Sequence, residues 1–284
     1  MIELKQENCG TEMTQDEVRK IQLEMLDAIV KVCDENNLKY YLSGGTLLGA
    51  IRHKGYIPWD DDIDINMPRP DINKLLNLCG GRVGEYQIFG DGKDPYRPEN
   101  MFYRLYNMKT ITSTYYHNQS KRPIFHPLFV DIFPIDGFPK SKIATEIYCQ
   151  KLIFLKRMIG LSCRDFIVAN RPVKYILSLI MFLPAKIVGY KNWANLFSKL
   201  AQRYSYETSE YVGVTSAVHY HSKEKVVKEE HTPYVEVEFE GKKYKGHKDY
   251  DKYLGQLYGN YMEIPPIEKQ NSGHDFRYYW RKER

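Results

Sequence analysis

Between residues 41 and 66 the chain reads Tyr41-Leu-Ser-Gly-Gly-Thr-Leu-Leu-Gly-Ala-Ile-Arg-His-Lys-Gly-Tyr-Ile-Pro-Trp-Asp-Asp-Asp-Ile-Asp-Ile-Asn66. Two parts of this stretch have side chains and backbone suited to chemistry. Ser43-Gly44-Gly45-Thr46 is a glycine-rich turn leading into a helix, and backbone N–H groups in such a turn can receive phosphate oxygens. Asp62 and Asp64 are two residues apart on what reads as a strand. Their carboxylates therefore project from one face and can hold a divalent cation between them. Together the two parts point to phosphoryl chemistry on a nucleotide-like substrate. An Asp-x-Asp pair alone is a common surface feature; the order strand, Gly-Gly turn, helix, acidic strand gives it weight.

These groups must be positioned by the elements around them. Thr14-Gln-Asp-Glu17 has the form of a capping box, and Val18, Ile21, Met25, Ile29 and Val32 follow at the helical period. A short strand over 39–42 feeds the Gly-Gly turn. Thr46 is placed to cap a short helix that runs to His53 and is stopped by Gly55. Residues 62–67 read as a strand with Asp62, Asp64 and Asn66 on one face and Ile63, Ile65 and Met67 on the other. Further strand-like segments fall at 86–89, 102–107 and 129–133. Residues 141–209 are helical in pattern. A hairpin over 234–239 and 243–245 turns at Glu240-Gly241, followed by a short helix and a Pro265-Pro266 tail. The expected class is α/β, a mixed sheet flanked by helices. Residues 1–140 would form the catalytic core, 141–215 a helical region, and 216–284 a hairpin-containing segment completing the same fold.

The arrangement resembles the nucleotidyltransferase superfamily, with Gly44 and Gly45 matching its glycine pair and Asp62 and Asp64 its paired acids. The long spacer Leu-Leu-Gly-Ala-Ile-Arg-His-Lys-Gly and the Pro-Trp-Asp-Asp-Asp-Ile-Asp ending resemble one branch, the LicD family, related to fukutin and the fukutin-related protein. Phe129-Val-Asp-Ile-Phe-Pro-Ile-Asp-Gly137 is similar to that family's second block, and Asp249 to Asn260, followed by Pro265, to its closing block. The closing block departs in having Gly246-His247 where a proline is commoner. The resemblance implies a nucleotidyltransferase-like fold and Mg²⁺, with Mn²⁺ as the alternative, held by Asp62, Asp64 and a third carboxylate, Asp131. It implies transfer of a phospho-substituent from a CDP-linked donor, CDP-choline favoured, to a sugar hydroxyl of a cell-surface glycan such as a teichoic acid or lipopolysaccharide, or of its lipid-linked precursor, with release of CMP. Asp131 would also accept the proton of the attacking hydroxyl. Ser43, Gly44, Gly45 and Thr46 would receive the donor phosphates.

Other residues carry two readings each. Arg52, His53 and Lys54 either neutralise donor charge or end a helix with cations that suit its dipole. Asp60 and Asp61 either support the metal site or form a solvated loop. Arg104 either pairs with an acid or reaches a phosphate. Tyr56 and Trp59 are the first candidates for an aromatic cage around a quaternary ammonium, although with 24 tyrosines in the chain most rings serve packing. His274 is either a late site contact or polar surface. Residues 151–191 mix cations with apolar residues, which fits either core helices with a basic side or a face lying on an anionic membrane.

Competing functions are nucleotidyl transfer from a triphosphate, or a catalytically inactive glycan- or membrane-binding scaffold. A net charge of +5 suits phosphates or an anionic surface without demanding either, and nucleic acid is not an expected partner. Cysteines 9, 33, 79, 149 and 163 have no Cys-x-x-Cys spacing and read as reduced thiols. Met1 to Asn8 carries no apolar signal region, so a cytoplasmic protein is expected, peripheral on the inner face of the membrane if residues 151–191 meet lipid.

Overall fold

A computed structural model describes residues 4–114, 123–164, 172–271 and 275–282. His274 and Arg171 lie outside them, as do the side chains of Lys174 and Leu177. In chain order the elements are β1 (Cys9–Glu12), α1 (Gln15–Glu35), β2 (Tyr41–Leu42), α2 (Gly44–His53), β3 (Asp64–Pro68), α3 (Arg69–Cys79), β4 (Arg82–Val83), β5 (Tyr86–Gly90), β6 (Tyr103–Thr114) and β7 (Ile124–Phe138). Then come α4 (Lys142–Cys163), α5 (Pro172–Val188), α6 (Tyr190–Ala201), β8 (Tyr211–Val214), β9 (Val226–Val227), α7 (Lys228–His231), β10 (Tyr234–Phe239), β11 (Lys242–His247), α8 (Tyr250–Tyr258) and β12 (Phe276–Arg281).

The large sheet runs β1-β12-β6-β7-β3-β2, with β5 on β6 and β8 on β7. It is mixed, because β3 and β7 are parallel whereas β2–β3 and β6–β7 are antiparallel. This is the helix-flanked mixed sheet that the pattern predicts. Ile65 and Met67 of β3 and Val130 and Ile132 of β7 join the buried residues of α1 and α3 in the main core. Strand alternation therefore turns Asp64 and Asp131 to the opposite face. A second core forms where α4 and α6 pack, around Tyr148, Leu152, Ile159 and Phe197. The capping box of α1 is present: the Glu17 carboxylate accepts the Thr14 N–H at 2.8 Å, and Thr14 Oγ1 accepts the Glu17 N–H at 3.3 Å. The β10–β11 hairpin turns at Glu240 and Gly241 with φ of 51° and 73°, the conformation a two-residue hairpin turn requires.

Three details differ from the sequence pattern. Asp62 lies in the loop before β3, because the carbonyls of Pro58, Asp60 and Asp61 are bound by side chains of α1 and not by a neighbouring strand. Thr46 sits inside α2, since the Ser43 carbonyl already accepts the Leu47 N–H at 2.9 Å and makes Ser43 the N-cap. The tail holds β12, which pairs with β1 on one side and β6 on the other. Its run Phe-Arg-Tyr-Tyr-Trp-Arg lacks the clean apolar–polar alternation by which a strand is recognised.

Candidate active site

Register brings the acids together. Asp64 and Asp131 are direct partners across the parallel β3–β7 pair, and Arg104 on β6 is the direct antiparallel partner of Asp131. Asp62, one turn of loop earlier, completes the group: one oxygen from each of Asp62, Asp64 and Asp131 lies within 4.8 Å of the others. Arg104 grips both oxygens of Asp131, with Nε at 2.6 Å and Nη2 at 3.3 Å, and its guanidinium lies 3.8 Å from the Phe129 ring centroid. Nη1 of Arg104 is buried and has no hydrogen-bond partner among the described residues.

The electrostatics are unbalanced. Burial, together with the carboxylates of Asp62, Asp131 and Asp60, holds the Asp64 carboxyl well above the usual range, and Arg104 offsets this only in part. Convergent carboxylate oxygens in excess of local cations form the donor set that hard divalent ions take, so these residues fit Mg²⁺ or Mn²⁺. A second trio, Asp60, Asp61 and Asp62, satisfies the same distance limit in the loop.

The spacer between the glycines and the acids has a mechanical role. α2 runs out from Ser43 and the chain returns alongside it. A Cβ on Gly49 would stand 2.4 Å from the Gly55 carbonyl oxygen, one on Gly45 would stand 2.5 Å from Asp60 Oδ2, and one on Gly44 would stand 2.9 Å from Asp64 Oδ2. Gly44 also has φ +50°, which disfavours any side chain. The glycines thus let the returning loop and its carboxylates lie directly on the helix start. Two hydrogen bonds lock the ends: the Asp64 N–H donates to the Thr46 side-chain Oγ1 at 2.8 Å, and the Ser43 N–H donates to the Asp64 carbonyl at 3.0 Å. The N-terminal N–H groups of α2 therefore open beside Asp64, an arrangement suited to anionic ligands.

Several sequence candidates are placed elsewhere. Arg52, His53 and Lys54 end α2 at its far end, about 13 Å along the axis from Gly44 at 1.5 Å per residue. Arg52 donates to the Tyr261 carbonyl at 2.6 Å and to His53 Nε2 at 2.8 Å, which ties down the C-terminal loop. Lys54 closes the helix in the left-handed conformation. Tyr56 is buried, with the Arg19 guanidinium over its ring at 4.7 Å and the Phe239 ring tilted against it at 5.0 Å, and its hydroxyl donates to Gln22. It packs in the main core. Trp59 meets His53 edge-on and lines a cavity of about 320 Å³ with Arg19, Gln22, Asp61 and Tyr278.

Other residues at the site are visible only in three dimensions. Arg19 and Gln22 of α1 donate to the carbonyls of Pro58, Asp60 and Asp61, and Tyr278 of β12 reaches Asp61. These contacts clamp the acidic loop. Tyr258 of α8 places its hydroxyl 3.7 Å from the Gly44 Cβ position and packs edge-on against Tyr220 at 5.9 Å. Burial raises both phenols, and the Asp64 carboxylate adds to the rise. Lys156 of α4 approaches the Phe102 ring at 5.7 Å, and desolvation pushes its ammonium down to about 8. In the sequence Tyr258 stands within the closing block and Lys156 among the cations of residues 151–191; the others carried no signal there.

Comparison with known proteins agrees with this geometry. The family model described as LicD/FKTN/FKRP, nucleotidyltransferase domain, matches residues 37–151, a span containing both glycines, all three carboxylates and Arg104. The lipopolysaccharide cholinephosphotransferase LicD of Haemophilus influenzae is 30% identical over 269 residues, covering 92% of this chain and 96% of the relative. Human ribitol 5-phosphate transferase FKRP is 39% identical over 56 residues, 20% of this chain and 11% of the relative. An uncharacterised Rickettsia typhi protein is 35% identical over 103 residues, 26% of this chain and 33% of the relative. With a relative matching along nearly its whole length, and with the carboxylates and glycine turn of the matched span assembled in one place, this chain belongs to the LicD/FKTN/FKRP family.

Proposed function

We propose that this protein is a metal-dependent transferase that moves phosphocholine from CDP-choline onto a sugar hydroxyl of a cell-surface glycan or its lipid-linked precursor and releases CMP. The observation that carries the reading is the convergence of Asp62, Asp64 and Asp131 beside the start of α2. The near full-length similarity to a cholinephosphotransferase supports choline as the substituent.

Asp62, Asp64 and Asp131 would hold Mg²⁺ or Mn²⁺, which when bound neutralises charge on the transferring phosphoryl group. The start of α2 and the unpartnered Nη1 of Arg104 receive donor phosphate oxygens. The acceptor oxygen forms a bond to the phosphorus of phosphocholine, the bond from that phosphorus to the CMP oxygen breaks, and the acceptor proton passes to a carboxylate. The Arg104 fork on both oxygens of Asp131 fixes the direction in which that carboxylate faces the site. The half-buried Tyr220–Tyr258 pair beside Gly44, and not Tyr56, supplies ring faces for a quaternary ammonium.

The test is a screen of CDP-choline, CDP-ribitol and CDP-glycerol with Mg²⁺, read by thermal stabilisation and by CMP release in the presence of glycan acceptor. CDP-choline alone is expected to stabilise the protein, and Tyr258→Ala to remove that preference. Pyrophosphate release from a nucleoside triphosphate would instead identify a nucleotidyltransferase.

A further inference from the structure

α5 is built almost wholly of apolar residues, yet the fold covers only one strip of it. Ser178 and Ala185 are buried, and Ala185 packs with Met158 and Leu161 of α4 and Trp193 of α6. Round the other side Val173, Ile176, Leu179, Ile180, Leu183 and Ile187 are each between 54% and 75% exposed. At 100° per residue these six fall within an arc of about 120°, a continuous apolar face on the protein surface. Helix α4 adds Ile143, Ile147 and Phe154, which share one of its faces and are also exposed.

The charge around this face is one-sided. From residue 166 to residue 206 the sequence holds six lysines and arginines and no aspartate or glutamate. Lys186, Lys191 and Lys199 are exposed. A second copy of this chain on the same face would bring the cations of α5 against themselves, with no carboxylate on α5 to answer them. An anionic lipid surface answers both features, since the apolar arc enters the acyl boundary while the cations meet the headgroups. Among the described residues no helix is long and apolar enough to cross a membrane; the 17 residues of α5 reach about 26 Å, against a hydrocarbon core of roughly 30 Å.

We infer that α5 lies in the plane of an anionic membrane and docks the protein there through its exposed arc. The inference stands on the arc and its charge and does not depend on the transferase reading. Its consequence for catalysis comes through α4, which packs on α5 and carries Lys156 toward Phe102 and the carboxylate side of the sheet. Docking would hold the site near headgroups, where a lipid-carried acceptor would be met.

The experiment is sedimentation of the full chain with vesicles of mixed phosphatidylglycerol and phosphatidylcholine, and with vesicles of phosphatidylcholine alone. Binding is expected to the mixed vesicles, weaker to the neutral ones, and reduced by salt. The double variant Ile176→Glu/Leu183→Glu should lose binding by at least about tenfold while its melting temperature and donor binding stay unchanged. Ile176→Ser/Leu183→Ser serves as the milder variant if the acidic one does not fold. Absence of binding to the mixed vesicles at low salt overturns the inference, as does binding that neither variant weakens. A concentration-dependent dimer that the same variants dissociate would also overturn it, by assigning the arc to a second copy. Loss of donor binding by the unaltered chain would count against the transferase and leave the docking result standing.

Discussion

At the scale of single residues, the site is defined by an imbalance of charge. Asp64 is buried among carboxylates with one guanidinium to offset them, so its ionised form costs stability until a cation arrives. Asp64→Asn is therefore expected to raise stability by about 1 kcal/mol in divalent-free buffer and to abolish the gain that Mg²⁺ gives the unaltered chain. Its rate of CMP release should fall by about 10²–10³-fold. Thermal melts with chelator and with Mg²⁺, beside an activity assay, check all three. A variant that is destabilised without metal and still stabilised by Mg²⁺ would remove Asp64 from the metal site. Of its two sequence readings, Arg104 takes the pairing with an acid, through Nε and Nη2 on Asp131, and its buried Nη1 has no hydrogen-bond partner among the described residues.

At the scale of elements, the unit to consider is α2 with its returning loop. The glycines differ in what opposes them. Beyond Gly49 stands backbone, the Gly55 carbonyl, whereas beyond Gly45 stands the end of the Asp60 side chain. Gly49→Ala must shift the whole return and is expected to cost about 1–3 kcal/mol. Gly45→Ala can be absorbed by a rotation of Asp60 and should cost little stability but lower activity. Denaturant unfolding and CMP release on the two variants separate the cases; equal stability losses would show that the loop is not seated as described. The spacer was legible in sequence as the most distinctive part of the motif. Its reason was not, because a stretch of chain does not reveal that it doubles back on its own helix.

At the scale of the whole molecule, residues far apart in sequence converge on the same few ångströms. Glu224, buried between β8 and α8 with the Tyr253 hydroxyl at 3.3 Å, illustrates the cost. Desolvation raises its carboxyl to about 8 from an ordinary 4.5. The folded state thus binds this proton more tightly than the unfolded chain. Stability from this group is present below the unfolded value, declines as pH rises across that window, and is fully lost above about 8. Glu224→Gln should flatten that decline and exceed the unaltered chain in stability above pH 8 by about 1–3 kcal/mol. Unfolding curves at pH 5 and pH 9, as approximate end points, test it; parallel pH dependences in the two proteins would refute the assignment.

The sequence by itself picked out the groups that could do chemistry. Asp62, Asp64 and the Gly-Gly turn are close in the chain, and residue type with short spacing specifies what such groups can bind. It also determined the capped α1, the hairpin turn at Glu240-Gly241 and the mixed α/β class, since caps, turns and periodicity are local. Only the tertiary structure decided the rest. Placing Asp131 against Asp64, and Arg104 against Asp131, is a matter of strand register between segments tens of residues apart. Seating Tyr258 by Gly44, withdrawing Tyr56 into the core and inserting β12 between β1 and β6 depend on long-range packing. Such contacts are settled by burial and hydrogen bonding across the whole fold, which no local pattern encodes.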